Sequence, residues 1–494
     1  MEYVVGIDIG TGSVKAVAIT LAGKSFEVSQ QPYSFNVPKP GFHEQNPDDI
    51  WAAFVLSLQH LLQKTGYPPL AISLSSAMHS LIATDGNCRP LAPMMTWADN
   101  RASDIAKGLR SSPEGLAIYK ATGTPLHAMS PLCKLIWIRE NNPSLFNQAK
   151  HYISIKEYIW YKLFKEYQVD YSIASCTGLF NIHLLTWHPQ AIEMTGISEQ
   201  QLSQPVPTAY CRKFKGHPEL NLLEKGTPFF IGASDGCLAN LGSMAYRPGV
   251  AALSIGTSGA IRMASSKPLP NKKAMTFSYI LDEKTFICGG PINNGGIALQ
   301  WWLKQMNAVT PTDDVYKQFF QQVKEVPAGS KGMIFLPYLT GERAPIWDSE
   351  SSGSFFGVKL QHDRSHFSRA LIEGICYAMK SVLEAVEENA EPVTHIYISG
   401  GFAKSKVWVQ ILADITGKNL VLVQTADASA VGAAFMAMKS LGHLPAYPEA
   451  NLKDLKIISP NVQNTTLYSA NFSIFKKLYA DLKETMHQLH QLNL

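Results

Sequence analysis

Apolar positions along the chain fall into two periodicities. Short runs bounded by turn residues, such as Val4-Val5-Gly6-Ile7, residues 71–75, Pro228-Phe229-Phe230-Ile231-Gly232, Val250-Ala251-Ala252-Leu253 and residues 393–399, read as buried strands. Amphipathic helices stand between them. One opens at Asn46-Pro47-Asp48-Asp49-Ile50-Trp51, where Asn46 suits an N-cap, Pro47 the first turn and the acids the positive end of the helix. Another is predicted over 405–416, carrying Val407, Val409, Ile411, Leu412 and Ile415. The alternation continues through 152–164, which gives an α/β class, with no short repeat and no low-complexity segment.

The pattern recurs at half-chain spacing. Ile9-Gly10-Thr11-Gly12 and Ile255-Gly256-Thr257-Ser258 each follow an apolar run and precede an alternating one, so each reads as a strand-turn-strand hairpin. Glycines let such a turn approach a ligand closely, and the hydroxyls with exposed amide N–H groups form an anion-binding concavity. Two facing hairpins would hold a polyphosphate between two related domains. They differ where it matters, because Asp8 in the first stands where Ser254 stands in the second. An acid beside a phosphate repels it unless a divalent cation intervenes, so Asp8 predicts Mg²⁺. Pro248-Gly249, just before the second hairpin, punctuates the boundary and sets expected domains of 1–245 and 246–494.

Charge and composition narrow the partners. The 43 basic and 39 acidic residues leave a net charge of +4 without runs, which argues against nucleic-acid and membrane surfaces and for small molecules. Seven scattered cysteines with no CxxC pair fit a reducing compartment, and no apolar stretch approaches a membrane span, so a cytoplasmic protein is expected. A homodimer is compatible with these features.

Gly232-Ala233-Ser234-Asp235-Gly236 emerges from a buried strand at the end where open α/β sheets place ligands. Read as G-x-S-x-G it is a nucleophile elbow with Ser234 attacking an ester. Alternatively Asp235 is a general base, taking the proton of a hydroxyl that attacks the γ-phosphoryl group of ATP. The hydrolase reading leaves both hairpins unused, so the base is favoured, with a helix cap as the structural option. Gly23-Lys24-Ser25 lacks the first glycine of a P-loop, and Gly10-x-Gly12 has Lys15 where the dinucleotide fingerprint needs a third glycine; Lys15 is instead a candidate for the terminal phosphate. Gly400-Gly401 would offer adenine a flat backbone at the same sheet edge. Two stretches suit a polyol. Ser75-Ser76-Ala77-Met78-His79-Ser80 and Thr96-Trp97-Ala98-Asp99-Asn100-Arg101 combine the apolar face of Trp97 with hydrogen-bonding groups on His79, Asp99, Asn100 and Arg101. Singly each reads as structural; together they favour a sugar-like ligand.

These residues resemble the FGGY carbohydrate kinases. Met129-Ser130-Pro131-Leu132-Cys133-Lys134-Leu135-Ile136-Trp137-Ile138-Arg139-Glu140-Asn141 fits that family's first signature. Gly353-Ser354-Phe355-Phe356-Gly357-Val358, continuing through His366-Phe367 and Ala370 to Glu373, fits the second except at Leu371. The two polyol stretches, with Ile155-Lys156-Glu157-Tyr158-Ile159, Gly289-Gly290-Pro291-Ile292-Asn293-Asn294-Gly295-Gly296 and Tyr338-Leu339-Thr340-Gly341-Glu342-Arg343-Ala344-Pro345, look like the gluconate kinase branch. The resemblance implies duplicated actin-like ATPase domains of ribonuclease H-like type, with a nucleotide cleft between them. It implies ATP-dependent phosphorylation of a sugar acid, D-gluconate to 6-phospho-D-gluconate, with xylulose kinase or another FGGY kinase as the alternative and a non-catalytic sugar sensor as a distant one. Carried over, Asp235 is the base and Asp8 lies at the metal; Thr11, Gly12, Ser13, Thr257, Gly296, Gly401 and Ser405 line ATP, and Met78 and His79 line the sugar, while the hairpin reading adds Gly10, Lys15 and Gly256 for ATP and the polyol stretches add Trp97, Asp99 and Arg101 for the sugar. Arg101 is the first candidate for the carboxylate, because its planar fork suits bidentate pairing, with Lys134 and Arg343 also available.

Overall fold

The computed structural model describes residues 2–273, 275–307, 312–423 and 427–492. Two sheets organise them. The first is built from β1 (Tyr3–Ile9), β2 (Ser13–Thr20), β3 (Ser25–Pro32), β4 (Ala71–Ser76), β5 (Cys211–Lys213) and β6 (Pro228–Ser234), in the order β5-β6-β4-β1-β2-β3. The second contains β7 (Val250–Ile255), β8 (Gly259–Ser265), β9 (Phe277–Asp282), β10 (Thr285–Ile292), β11 (His395–Ser399), β12 (Asn419–Leu422) and β13 (Lys456–Ile458), in the order β9-β10-β8-β7-β11-β12-β13. The arrangement is duplicated, with β9 added at one edge. In each sheet a hairpin strand pairs antiparallel with its successor and parallel with a later strand: β1 with β2 and β4, β7 with β8 and β11.

The helices that position the site are α1 (Pro47–Thr65), α2 (Pro131–Asn141), α3 (Ile155–Phe164), α4 (Asp235–Gly242), α5 (Gly296–Asn307), α6 (Arg364–Glu387), α7 (Lys406–Thr416), α8 (Ala428–Ser440) and α9 (Val462–Leu492). Their ends follow the chain's own signals. Asn46 caps α1 by accepting from the Asp48 amide, Ser154 and Glu157 form a capping box on α3, and Ser405 caps α7.

The two halves share a core. The α8 helix of the second half packs on the first sheet, where Ala430, Ala433, Ala434 and Phe435 join Val4, Val17, Ile19, Ala71, Phe230, Leu238 and Leu241. This approach needs glycine on both sides: a methyl group at Gly6 of β1 would collide with the Ala430 carbonyl, and one at Gly432 with the Leu238 carbonyl. Segments 1–245 and 246–494 therefore each carry one sheet, while a core joins them.

The cysteines are free. Among the described residues no helix is long and apolar enough to cross a membrane.

Candidate active site

The strand register lines up the acids. Asp8 at the end of β1 pairs across to Lys15 on one side and Ser75 on the other, and Ser75 pairs with Ala233 of β6, so the row ends two residues before Asp235. A bulge between Phe230 and Ala233 bends β6 here. Gly232 makes it possible, with φ at 70° and no room for a Cβ against the Leu74 carbonyl. Buried Lys156 of α3 braces the bend, donating to the Ala233 carbonyl at 2.8 Å and to Asp170 Oδ2 at 2.8 Å. Asp235 then opens α4, its Oδ1 accepting from the Gly236 amide at 2.6 Å. Burial, reinforced by the charge of Asp8 and opposed by Arg262, pushes its carboxyl up to about 7.

Asp8 is itself raised above the usual carboxylate range, chiefly by burial, although Ser75 Oγ donates to its Oδ1 at 2.9 Å. Among the described residues no three acidic, histidine or cysteine side chains form a metal cage. A hard carboxylate beside a second one and facing an anion-binding turn fits Mg²⁺, which keeps most of its waters and takes few protein ligands. Asp8 is the residue that would hold it.

The two hairpins face a shared cleft. Gly10 closes the first turn by donating to the Ser13 carbonyl at 3.0 Å, leaving Thr11 and Gly12 exposed at its tip. In the second, Gly256 donates to the Ser258 carbonyl at 2.9 Å, and Gly256 and Thr257 are exposed. Gly296 begins α5 under this turn: its amide donates to the Gly256 carbonyl at 2.7 Å, so it supports the hairpin and has no free N–H for a phosphate. Gly401 follows β11 at the same edge, exposed and with open space around its Cα, while Gly400 at φ 103° lies against the Ile255 carbonyl. Ser405 Oγ accepts its capping bond from the Trp408 amide at 3.3 Å. Lys15 does not reach into the cleft as a free cation, because its Nζ meets Asp427 Oδ1, just before α8, at 2.5 Å.

A cavity of about 280 Å³ joins Thr11, Met78, His79, Trp97 and Asp235 of the first half to Ser254, Gly256, Arg262, Tyr279 and Arg343 of the second. Met78, His79 and Trp97 thus meet in it, and the Trp97 indole donates to Thr11 Oγ1 at 2.9 Å. His79 has a left-handed backbone (φ 64°), and its Nδ1 donates to the Cys176 carbonyl at 2.8 Å. Burial and then Lys134 depress its pKa to about 3, so the imidazole is neutral and Nε2 is an acceptor, with the Tyr279 hydroxyl at 3.3 Å.

Asp99 and Arg101 lie outside this cavity. The Arg101 fork closes on Asp99, with Nε–Oδ1 at 2.8 Å and Nη2–Oδ2 at 2.7 Å, and also takes Glu44 at 2.6 Å; Asp99 is fully buried. Their adjacency to Trp97 in sequence reflects a folded-back ion pair. Lys134 is equally committed: buried on α2, it donates to the His79 carbonyl at 2.5 Å and the Thr96 carbonyl at 2.7 Å, tying those two loops together. Ser234 is fully buried and bonded to Ser172 Oγ at 3.0 Å, so it is no exposed nucleophile. Arg262 and Tyr279 are cavity residues that sequence reasoning passed over. The signal for Arg262 was a lone arginine in the strand Gly259-Ala260-Ile261-Arg262-Met263-Ala264.

Residues 3–242 match the N-terminal domain, and residues 251–441 the C-terminal domain, of the FGGY family of carbohydrate kinases. The gluconokinase of Bacillus licheniformis is 40% identical over 462 residues, covering 90% of this chain and 89% of that protein. A xylulose kinase of Bacillus subtilis is 27% identical over 495 residues, covering 98% of each. The crystal structure of the gluconate kinase from Lactobacillus acidophilus superposes with a TM-score of 0.92 at 31% identity, covering 99% of both chains. The ligand-bound xylulose kinase from the same organism gives 0.92 at 31%, covering 99% of this chain and 100% of that one.

Proposed function

The chain belongs to the FGGY family of carbohydrate kinases, and from that premise we propose that it transfers the γ-phosphoryl group of ATP to the terminal hydroxyl of D-gluconate, giving 6-phospho-D-gluconate and ADP. The observation that carries this reading is Asp235, a carboxylate titrating near neutrality on the wall of a cavity that both hairpins share.

ATP lies across the cleft, its phosphates at Thr11, Gly12, Gly256 and Thr257 and its base over Gly401. The sugar enters beside Met78, His79 and Trp97. Neutral His79 accepts a hydroxyl hydrogen bond at Nε2, and the Trp97 face covers C–H groups. Asp235 takes the proton of the attacking hydroxyl. The new O–P bond forms at the γ-phosphorus as the β,γ-bridging oxygen departs with ADP. Mg²⁺ at Asp8 supplies charge neutralisation for the phosphates when bound. Two guanidinium groups in the cavity wall, Arg262 and Arg343, make it suit an acid better than a neutral ketose, which supports gluconate over xylulose although the fold matches kinases of both.

Asp235→Asn keeps the shape and removes the base. Turnover is expected to fall by at least about a thousandfold while ADP binding, followed by calorimetry, stays within about twofold. Near-normal turnover in this variant would refute the assignment.

A further inference from the structure

We infer that Arg262 is the residue that reads the substrate's carboxylate, a specificity determinant supplied by the second half of the chain; this rests on the gluconate reading above. The other largely buried arginines are already engaged. Arg101 is held by Asp99 and Glu44. Arg369 is held by Glu373 and the Tyr468 hydroxyl. Arg110 donates to the Leu126 carbonyl. Arg343, the other guanidinium of the cavity, gives Nε to Asn293 Oδ1 at 2.7 Å and Nη2 to the Ile292 carbonyl at 3.1 Å, so it builds the wall.

Arg262 differs. Its Nε is buried without any hydrogen-bond partner, and among the described residues its guanidinium forms no ion pair. The side chain leaves β8 between the buried Ile261 and Met263 and packs on the first turn of α4, where a Cβ on Gly236 would sit 3.2 Å from Nε. That places a half-buried guanidinium, its Nε covered and unpartnered, in the same cavity as Asp235, His79 and Tyr279. Such a fork is costly to leave unmatched, and a carboxylate is the group whose geometry matches it bidentately. The Asp235 carboxylate attracts Arg262, yet among the described residues the two form no ion pair, so the guanidinium is not taken up by it.

The test compares gluconate with glucitol, in which CH2OH replaces the carboxylate. Kinetics and calorimetry are run at pH 9, where Asp235 is ionised in the unmutated protein. For Arg262→Met the dissociation constant of gluconate is expected to rise about a hundredfold, and the kcat/KM ratio of gluconate over glucitol to fall by a similar factor. Arg262→Lys, which keeps the charge and loses the fork, should recover part of both. The ligand-free thermal midpoint of Arg262→Met should hold or rise, because an unpaired, half-buried charge has been replaced by an apolar chain, so a loss of gluconate binding cannot be laid to misfolding. Equal losses on gluconate and glucitol, or a rise in KM for ATP alone, would place Arg262 on the phosphoryl group and overturn the inference. Unchanged gluconate affinity would overturn it as well. Failure of the unmutated protein to bind gluconate would sink the gluconate reading itself, a result seen before any variant is made.

Discussion

Asp235 ionises near pH 7 in the folded chain against an ordinary value of 3.8, because it is buried beside Asp8, with Arg262 and Lys156 as the opposing charges. Two consequences run in opposite directions with pH. As a base it must be deprotonated, so kcat/KM should rise with pH through about 7 and level above it. For stability the native state binds the extra proton between pH 3.8 and about 7, so this group's contribution to stability falls as pH rises through that window. Asp235→Asn removes the effect: its ligand-free thermal midpoint should exceed that of the unmutated protein at pH 8, and the gap should close by pH 5. Equal gaps at both values would contradict a raised carboxyl. At this scale the sequence was legible where a motif forced a residue to a strand end, as with Asp8, Met78, His79 and Asp235. It was not legible where folding back decided the outcome: nothing in Asp99-Asn100-Arg101 announces that the arginine closes on its own neighbour, or that Arg262 is left open.

Elements position these residues through buried cations. Lys156 joins α3 to the bulged end of β6 and neutralises Asp170, which itself caps a short helix at Tyr171–Ser175. Lys156→Ala leaves Asp170 buried without its counter-charge. Denaturant unfolding should show a loss of about 3–5 kcal/mol at pH 7, and a loss below about 1 kcal/mol would mean the bridge contributes little. The family signatures acquire a physical meaning here. Lys134, in the first, holds the loops of His79 and Thr96 together. Glu373, in the second, gathers Arg369, the Tyr468 hydroxyl, Ser330 and the Gly329 amide. The hairpins, the Asn46 cap and the Ser405 cap were readable because turn and cap chemistry is local. The hydrogen bond from Gly296 to the second hairpin was not, since it depends on tertiary contact.

At the scale of the molecule, duplication was visible in the spaced hairpins, and the sheets repeat it, with β9 as the one strand added to the second. The shared core was hidden, because Gly6, Gly242 and Gly432 look like ordinary small residues until α8 lies across β1 and α4. Gly6→Ala forces a methyl into the Ala430 carbonyl and should destabilise the chain by about 1–3 kcal/mol, read as a lower thermal midpoint with one cooperative transition. An unchanged midpoint would show that the two halves separate easily at this contact. This join brings both halves to the one cavity that Asp235 lines, and on the proposed function gluconate completes that site. The most direct measurement is ADP release from Mg-ATP with gluconate, xylulose, ribulose, glycerol and fuculose, against a control without sugar. Gluconate-dependent release well above every other arm is the predicted result; release that favours another sugar, or none above the control, would contradict it.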